Sequence, residues 1–104
     1  MFDITIEDLI AVFEALKDKY PLVFTNTADL NEGFDGAFPI IVGKAHGQII
    51  ELYEYGGDFV LDILDEKHTM GTHWHPNNVN NAIDDITEFM QGKCDYELSL
   101  FKNC

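Results

Sequence analysis

Arginine is missing from this 104-residue sequence, and its strong cations are six lysines. The chain therefore has no guanidinium fork with which to grip a phosphate or a carboxylate. Nineteen aspartates and glutamates outnumber the lysines, so the net charge is −13 at pH 7. A negative field of this size repels phosphate backbones and anionic lipids. The composition argues against nucleic-acid and membrane-surface binding. The excess of acidic side chains then has two possible roles: it confers solubility, or it attracts a basic protein partner.

Long apolar runs are also missing. No stretch approaches the roughly 20 apolar residues of a membrane span, and residues 1–9 carry acidic side chains where a signal peptide has a basic region and an apolar run. Two cysteines, Cys94 and Cys104, flank a predicted strand that spans on the order of 30 Å, whereas a disulfide needs Cα atoms about 5.5 Å apart. We therefore expect free thiols and a cytoplasmic protein.

Common catalytic motifs are absent as well. The sequence has no glycine-rich phosphate loop, no G-x-S-x-G elbow, no C-x-x-C pair and no H-E-x-x-H pattern. Carboxylates are so numerous that no particular pair stands out as an acid and a base. The sequence therefore predicts a protein without enzymatic activity.

One packed domain over residues 1–104 is predicted, because hydrophobic residues make up 46% of a chain of ordinary domain length. Thr5 and Asp8 approximate a capping box at the start of a first helix. Apolar residues then recur at helical spacing from Ile6 to Tyr20, with Ile10 among the residues expected on the buried side. Pro21 is expected to end this helix.

From residue 22 to residue 75 the sequence is typical of strands joined by short turns. The strand candidates are Leu22 to Thr25, Phe38 to Gly43, Gln48 to Tyr55, Asp58 to Leu64 and Thr69 to His75. Gly56-Gly57 suits a two-residue primed turn, which requires positive φ. A second helix is expected with Pro76 in its first turn and Asn77 or Asn78 as its cap, and it is expected to end at Gly92. A last strand from Cys94 to Lys102 completes the order α-β-β-β-β-β-α-β. We expect an α+β fold with two helices on one face of an antiparallel sheet of about five or six strands.

His73 and His75 are the main candidates for chemistry. At positions i and i+2 of a strand they share one face, while Trp74 faces the other. Two such imidazoles can converge on a transition metal, with His68 or His46 as a third ligand if the hairpins bring it near. The alternatives are that the pair orders the turn into the second helix or that it lies in a polar edge of the sheet.

Two acidic segments are candidates for partner binding: the loop from Asn26 to Ala37 and the exposed side of the second helix. The predicted partner-binding residues are Asp29, Glu32, Asp35, Asp84, Asp85 and Glu88. The leading hypothesis is a non-enzymatic acidic module that binds a basic protein and works as a monomer or a homodimer. The alternative is a small metal-binding protein built on His73 and His75.

The sequence THWHPNNVNN leads into a helix that closes on FMQGK, and it resembles a pattern in small bacterial domains that have no assigned activity. This resemblance covers about a third of the chain and implies no function. In size, charge and single-domain format the chain is also similar to immunity proteins that neutralise basic bacterial toxins. The second resemblance implies a basic protein partner, and it assigns no binding residues.

Overall fold

The computed structural model describes residues 3–26, 38–65 and 71–92. Its elements are α1 (Ile6–Leu16), β1 (Val23–Asn26), β2 (Pro39–Ala45), β3 (Gln48–Tyr55), β4 (Asp58–Asp65), β5 (Gly71–Trp74) and α2 (Val79–Met90). Within these residues the predicted α+β fold is confirmed, with two helices and an antiparallel sheet of five strands. The sequence-predicted features that lie outside the described residues are the last strand, His68, Asp29, Glu32 and Asp35.

The sheet is a meander in which each strand pairs with the next, in the order β1-β2-β3-β4-β5. Gly56 and Gly57 join β3 to β4 with φ of 64° and 88°, which confirms the predicted primed turn. His46 and Gly47 join β2 to β3 with φ of 59° and 74°. This second turn is also two residues long, so β2 continues past its predicted end at Gly43.

Both helices pack on one face of the sheet. The side chains of this main core include Leu9, Val12, Leu16, Ile41, Ile50, Leu52, Phe59, Leu61, Ile63, Ala82, Ile86 and Phe89. The alternate residues of the strands form the opposite face, here called the outer face, which carries Ile40, Val42, Ile49, Glu51, Tyr53, Val60, Asp62 and His73. The core therefore separates the outer face from the helices.

The start of α1 matches its prediction, but its end does not. Thr5 Oγ1 accepts a hydrogen bond from the Asp8 amide at 3.3 Å, and Asp8 Oδ2 accepts one from the Thr5 amide at 3.0 Å, which completes the capping box. The helix ends at Leu16, before the predicted end at Tyr20. The Tyr20 amide still donates to the Leu16 carbonyl at 3.0 Å, but Pro21 disfavours helical backbone at the residue before it.

The predicted burial of Ile6 and Ile10 is wrong. These side chains are 38% and 42% exposed, whereas Leu9, Val12 and Leu16 are at most 1% exposed. Ile6 and Ile10 lie one turn apart on the flank of α1, where the sheet no longer covers the helix. Helical periodicity assigns every apolar residue to one stripe, but the sheet buries a narrower arc. The two isoleucines therefore form an exposed apolar pair.

A hydrogen bond ties β5 to α2. Trp74 packs against the main core, as predicted, and its Nε1 donates to Asp85 Oδ2 at 2.9 Å. Burial raises the pKa of the Asp85 carboxyl above its ordinary value; the hydrogen bond from Trp74 opposes the rise, and the charge of Asp84 adds to it. Asp85 is thus partly buried between the helix and the strand, although the sequence suggested a fully wet position.

Replacing Asp85 with asparagine is expected to change how stability depends on pH. A carboxyl whose pKa is raised by folding stabilises the folded state below its unfolded pKa of 3.8, and this contribution is lost as the pH rises through the raised folded value. The unfolding free energy of the wild type, minus that of Asp85→Asn, should therefore be largest below pH 3.8 and should fall as the pH rises above that value. Urea unfolding followed by Trp74 fluorescence measures this difference, and a constant or rising difference would contradict the prediction.

Candidate functional site

The segment that joins β5 to α2 begins with the histidines and ends in a helix cap. Asn78 Oδ1 accepts from the Asn81 amide at 2.8 Å, which confirms the predicted asparagine cap. The helix begins at Val79, so Pro76 precedes the helix and does not stand in its first turn. Gly92 has φ of 76°, as expected for the residue that stops α2.

His73 and His75 lie side by side on the outer face, as predicted. Their ring centroids are 4.8 Å apart, and the ring planes meet at 84°. His73 Nδ1 lies 2.8 Å from Asp62 Oδ1 on β4, and His75 Nδ1 lies 2.9 Å from the carbonyl oxygen of Phe59. Both neighbours are acceptors, so each neutral imidazole carries its hydrogen on Nδ1 and its lone pair on Nε2.

A row of titratable side chains continues across the outer face from His73. Asp62 is aligned with His73 on β5 and with Glu51 on β3. Glu51 is 2% exposed and is the one buried charged residue among those that the structure describes. Tyr53 shares this face; burial, together with the negative charges of Asp62 and Glu51, raises its pKa to about 12. The phenol of Tyr53 therefore stays protonated over the whole physiological range.

The raised pKa of Tyr53 predicts a separate step in the alkaline titration of the tyrosines. Phenolate absorbance should show a component at about pH 12 that Tyr53→Phe removes. Tyr55 is 72% exposed, so Tyr55→Phe should leave that component in place. Circular dichroism recorded in parallel shows at which pH values the protein is still folded, and only those absorbance values are used. A wild-type titration that is complete at about pH 11, near the ordinary tyrosine range, would contradict the prediction.

Residues 3–26, 38–65 and 71–92 contain no group of three or more His, Cys, Asp or Glu side chains that could hold a metal ion. His46, which the sequence suggested as a third ligand, is instead placed against the end of α2. Its ring centroid is 6.1 Å from that of Phe89, and a Cβ at Gly92 would lie 3.1 Å from its Cε1. In the described part of the chain, His46 therefore does not add a third metal ligand to His73 and His75. The pair itself supplies two imidazole nitrogens.

The helices present carboxylates on the sides turned away from the sheet. Glu7 and Glu14 on α1 and Asp84 on α2 are exposed, and Glu88 on α2 is partly exposed. These four residues are here called the acidic helix surface. Of the three α2 residues predicted from the sequence, Asp84 and Glu88 belong to this surface, whereas Asp85 is engaged by β5. The sequence does not single out Glu7 and Glu14, because the apolar periodicity of α1 indicates only a helix that packs one side on the sheet.

The two helices run side by side in the same direction. At one end Ile4 and Asp8 line a shallow cavity of about 390 Å³ with residues 78–80, next to both helix N-termini. At the other end Gln91 Nε2 donates to the Tyr20 hydroxyl at 3.2 Å. The exposed sides of α1 and α2 are therefore neighbours, and their carboxylates lie on one side of the molecule.

No helix in the described parts of the chain is long and apolar enough to cross a membrane. Comparison with known proteins identifies no relative: no family model matches the chain, and no match is found among curated proteins or solved structures. The candidate sites therefore rest on the geometry and charge of the structure, which indicate two surfaces. They are the acidic helix surface and the histidine pair of the outer face.

Proposed function

We propose that the protein is a non-enzymatic, cytoplasmic interaction module that binds a basic protein partner through the acidic helix surface. One observation carries the proposal: both helices expose carboxylates on the same side of a chain whose net charge is −13. At physiological salt the Debye length is about 8 Å, so such a surface attracts a basic partner before contact. This attraction mainly raises the rate of association.

The exposed apolar pair, Ile6 and Ile10, supports binding beyond simple attraction. Protein interfaces commonly place a few apolar anchors inside a polar rim, and the anchors supply much of the affinity. Ile6 and Ile10 are 38% and 42% exposed, and Glu7 and Glu14 lie on the same helix. A matching partner would pack an apolar side chain against Ile6 and Ile10, and its lysines or arginines would contact the carboxylates.

An inhibitor or immunity protein is the kind of module that these properties favour. Such a protein acts by covering the working surface of a basic partner, and it needs no catalytic group of its own. A second copy of this chain is a poor partner for the acidic helix surface, since both copies would bring carboxylates to the interface. We therefore assign the surface to a different, basic protein.

Salt-dependent capture tests the proposal. The immobilised protein is exposed to lysate of its source cell at low salt, and bound proteins are released by a rising NaCl gradient. The proposal expects a basic protein that elutes as salt screens the carboxylates, and rebinding of that purified protein should weaken steadily with NaCl. A specific partner whose affinity is unchanged by salt would contradict the proposal.

A further inference from the structure

We propose that His73 and His75 form a two-imidazole binding site for a divalent transition-metal ion. The site lies on the outer face of the sheet, on the opposite side from the helices, so it is separate from the acidic helix surface and does not rest on the proposed function. Imidazole nitrogen suits copper, zinc and nickel, and among divalent ions Cu(II) binds such ligands most tightly.

The hydrogen bonds at Nδ1 indicate which atoms bind the ion. A metal-bound histidine usually donates its other ring N–H to a carboxylate or a backbone carbonyl, which fixes the ring and raises its basicity. His73 has this bond to Asp62 Oδ1 at 2.8 Å, and His75 has it to the Phe59 carbonyl at 2.9 Å. Nε2 of each ring is left as the donor atom. Asp62 is thus a positioning residue for His73.

The spacing of the rings fits a shared ion. Nitrogen–metal distances of about 2.0 Å and an angle between about 90° and about 110° at the metal place two imidazole centroids about 4.5 to 5.2 Å apart. The observed separation of His73 and His75 is 4.8 Å. The His73 side chain is 56% exposed and His75 is exposed, so water can complete the coordination.

Two protein ligands predict weaker binding than the three or four ligands of zinc enzymes and structural zinc sites. The surrounding charge favours a cation, because Asp62 and Glu51 lie in the same row and the chain carries a net charge of −13. The site therefore suits an ion that is bound reversibly. It is not expected to hold the fold together, since the larger of the two hydrophobic clusters lies on the other face.

Titration of the full-length protein with Cu(II) tests the site. After alkylation of the two cysteines, whose free thiols would otherwise reduce Cu(II), we expect one equivalent bound reversibly per chain, with an electron paramagnetic resonance spectrum that reports two imidazole nitrogens. His73→Ala and His75→Ala should each weaken binding by at least about tenfold. His46→Asn is the matched control: it removes an exposed imidazole at a position with φ of 59°, a backbone conformation that asparagine tolerates, and it should leave the affinity unchanged.

Asp62→Ala separates positioning from ligation. Loss of the acceptor should weaken Cu(II) binding by about tenfold while the spectrum still reports two nitrogens. In the wild type, nitrogen NMR should show selective broadening of the Nε2 signals of His73 and His75, a readout that requires no variant to fold. Unchanged affinity in the double variant His73→Ala, His75→Ala, or broadening of His46 to the same degree, would overturn the proposal.

Discussion

The double variant Glu7→Lys, Asp84→Lys is expected to associate with the basic partner at least about tenfold more slowly at low ionic strength. Each substitution replaces a negative charge with a positive one, so the two together change the net charge from −13 to −9. Both substitutions fall on the acidic helix surface. Both residues are exposed, so the fold should tolerate lysine. Stopped-flow or surface plasmon resonance measurements over a range of NaCl concentrations give the rate and its salt dependence.

A control with the same charge shows whether position matters. Asp58→Lys, Asp62→Lys also brings the net charge to −9, but by strand alternation its two changes lie on the outer face of the sheet, away from the helices. We expect this control to associate several times faster than the Glu7, Asp84 variant, with a salt dependence closer to that of the wild type. Equal rates for the two variants would mean that the helices are not where the partner binds.

Phe59→Ala is expected to lower the free energy of unfolding by about 3–5 kcal/mol. Phe59 lies on β4, is 0% exposed and belongs to the core between the sheet and the helices, so truncation leaves a cavity there. Because small domains are stable by only about 5–15 kcal/mol, this loss is a large share of the total stability. Urea unfolding measures the loss.

Val23 supplies the control for this effect. It is an apolar strand residue that is 56% exposed, so Val23→Ala should change the unfolding free energy by no more than about 0.5 kcal/mol. A loss below about 1 kcal/mol for Phe59→Ala would contradict the position of the core.

Much of this fold could be predicted because its signals are local. The capping box of Thr5 and Asp8 depends on side chains three residues apart, and the Gly56-Gly57 turn depends on two adjacent residues with positive φ. Each marks one end of an element. The exposure of Ile6 and Ile10 could not be predicted in the same way, because it depends on how wide an arc of α1 the sheet covers.

The histidine site shows the same division between local and distant signals. Strand alternation was enough to place His73 and His75 on one face. The pairing of Glu51 with Asp62 could also have been found, because counting outward from the two-residue turn after Tyr55 gives that register. The pairing of Asp62 with His73 could not, since no two-residue turn fixes the register of β5 against β4.

Carboxyl footprinting of the complex tests the acidic helix surface most directly. The free protein and the partner-bound protein are labelled with a carbodiimide, and the modification of each carboxylate is read by mass spectrometry. We predict that Glu7, Glu14 and Asp84, which are exposed in the structure, are protected by the partner while Asp58 is modified equally in both states. Protection of Asp58, with Glu7, Glu14 and Asp84 modified as in the free protein, would contradict binding through the helices.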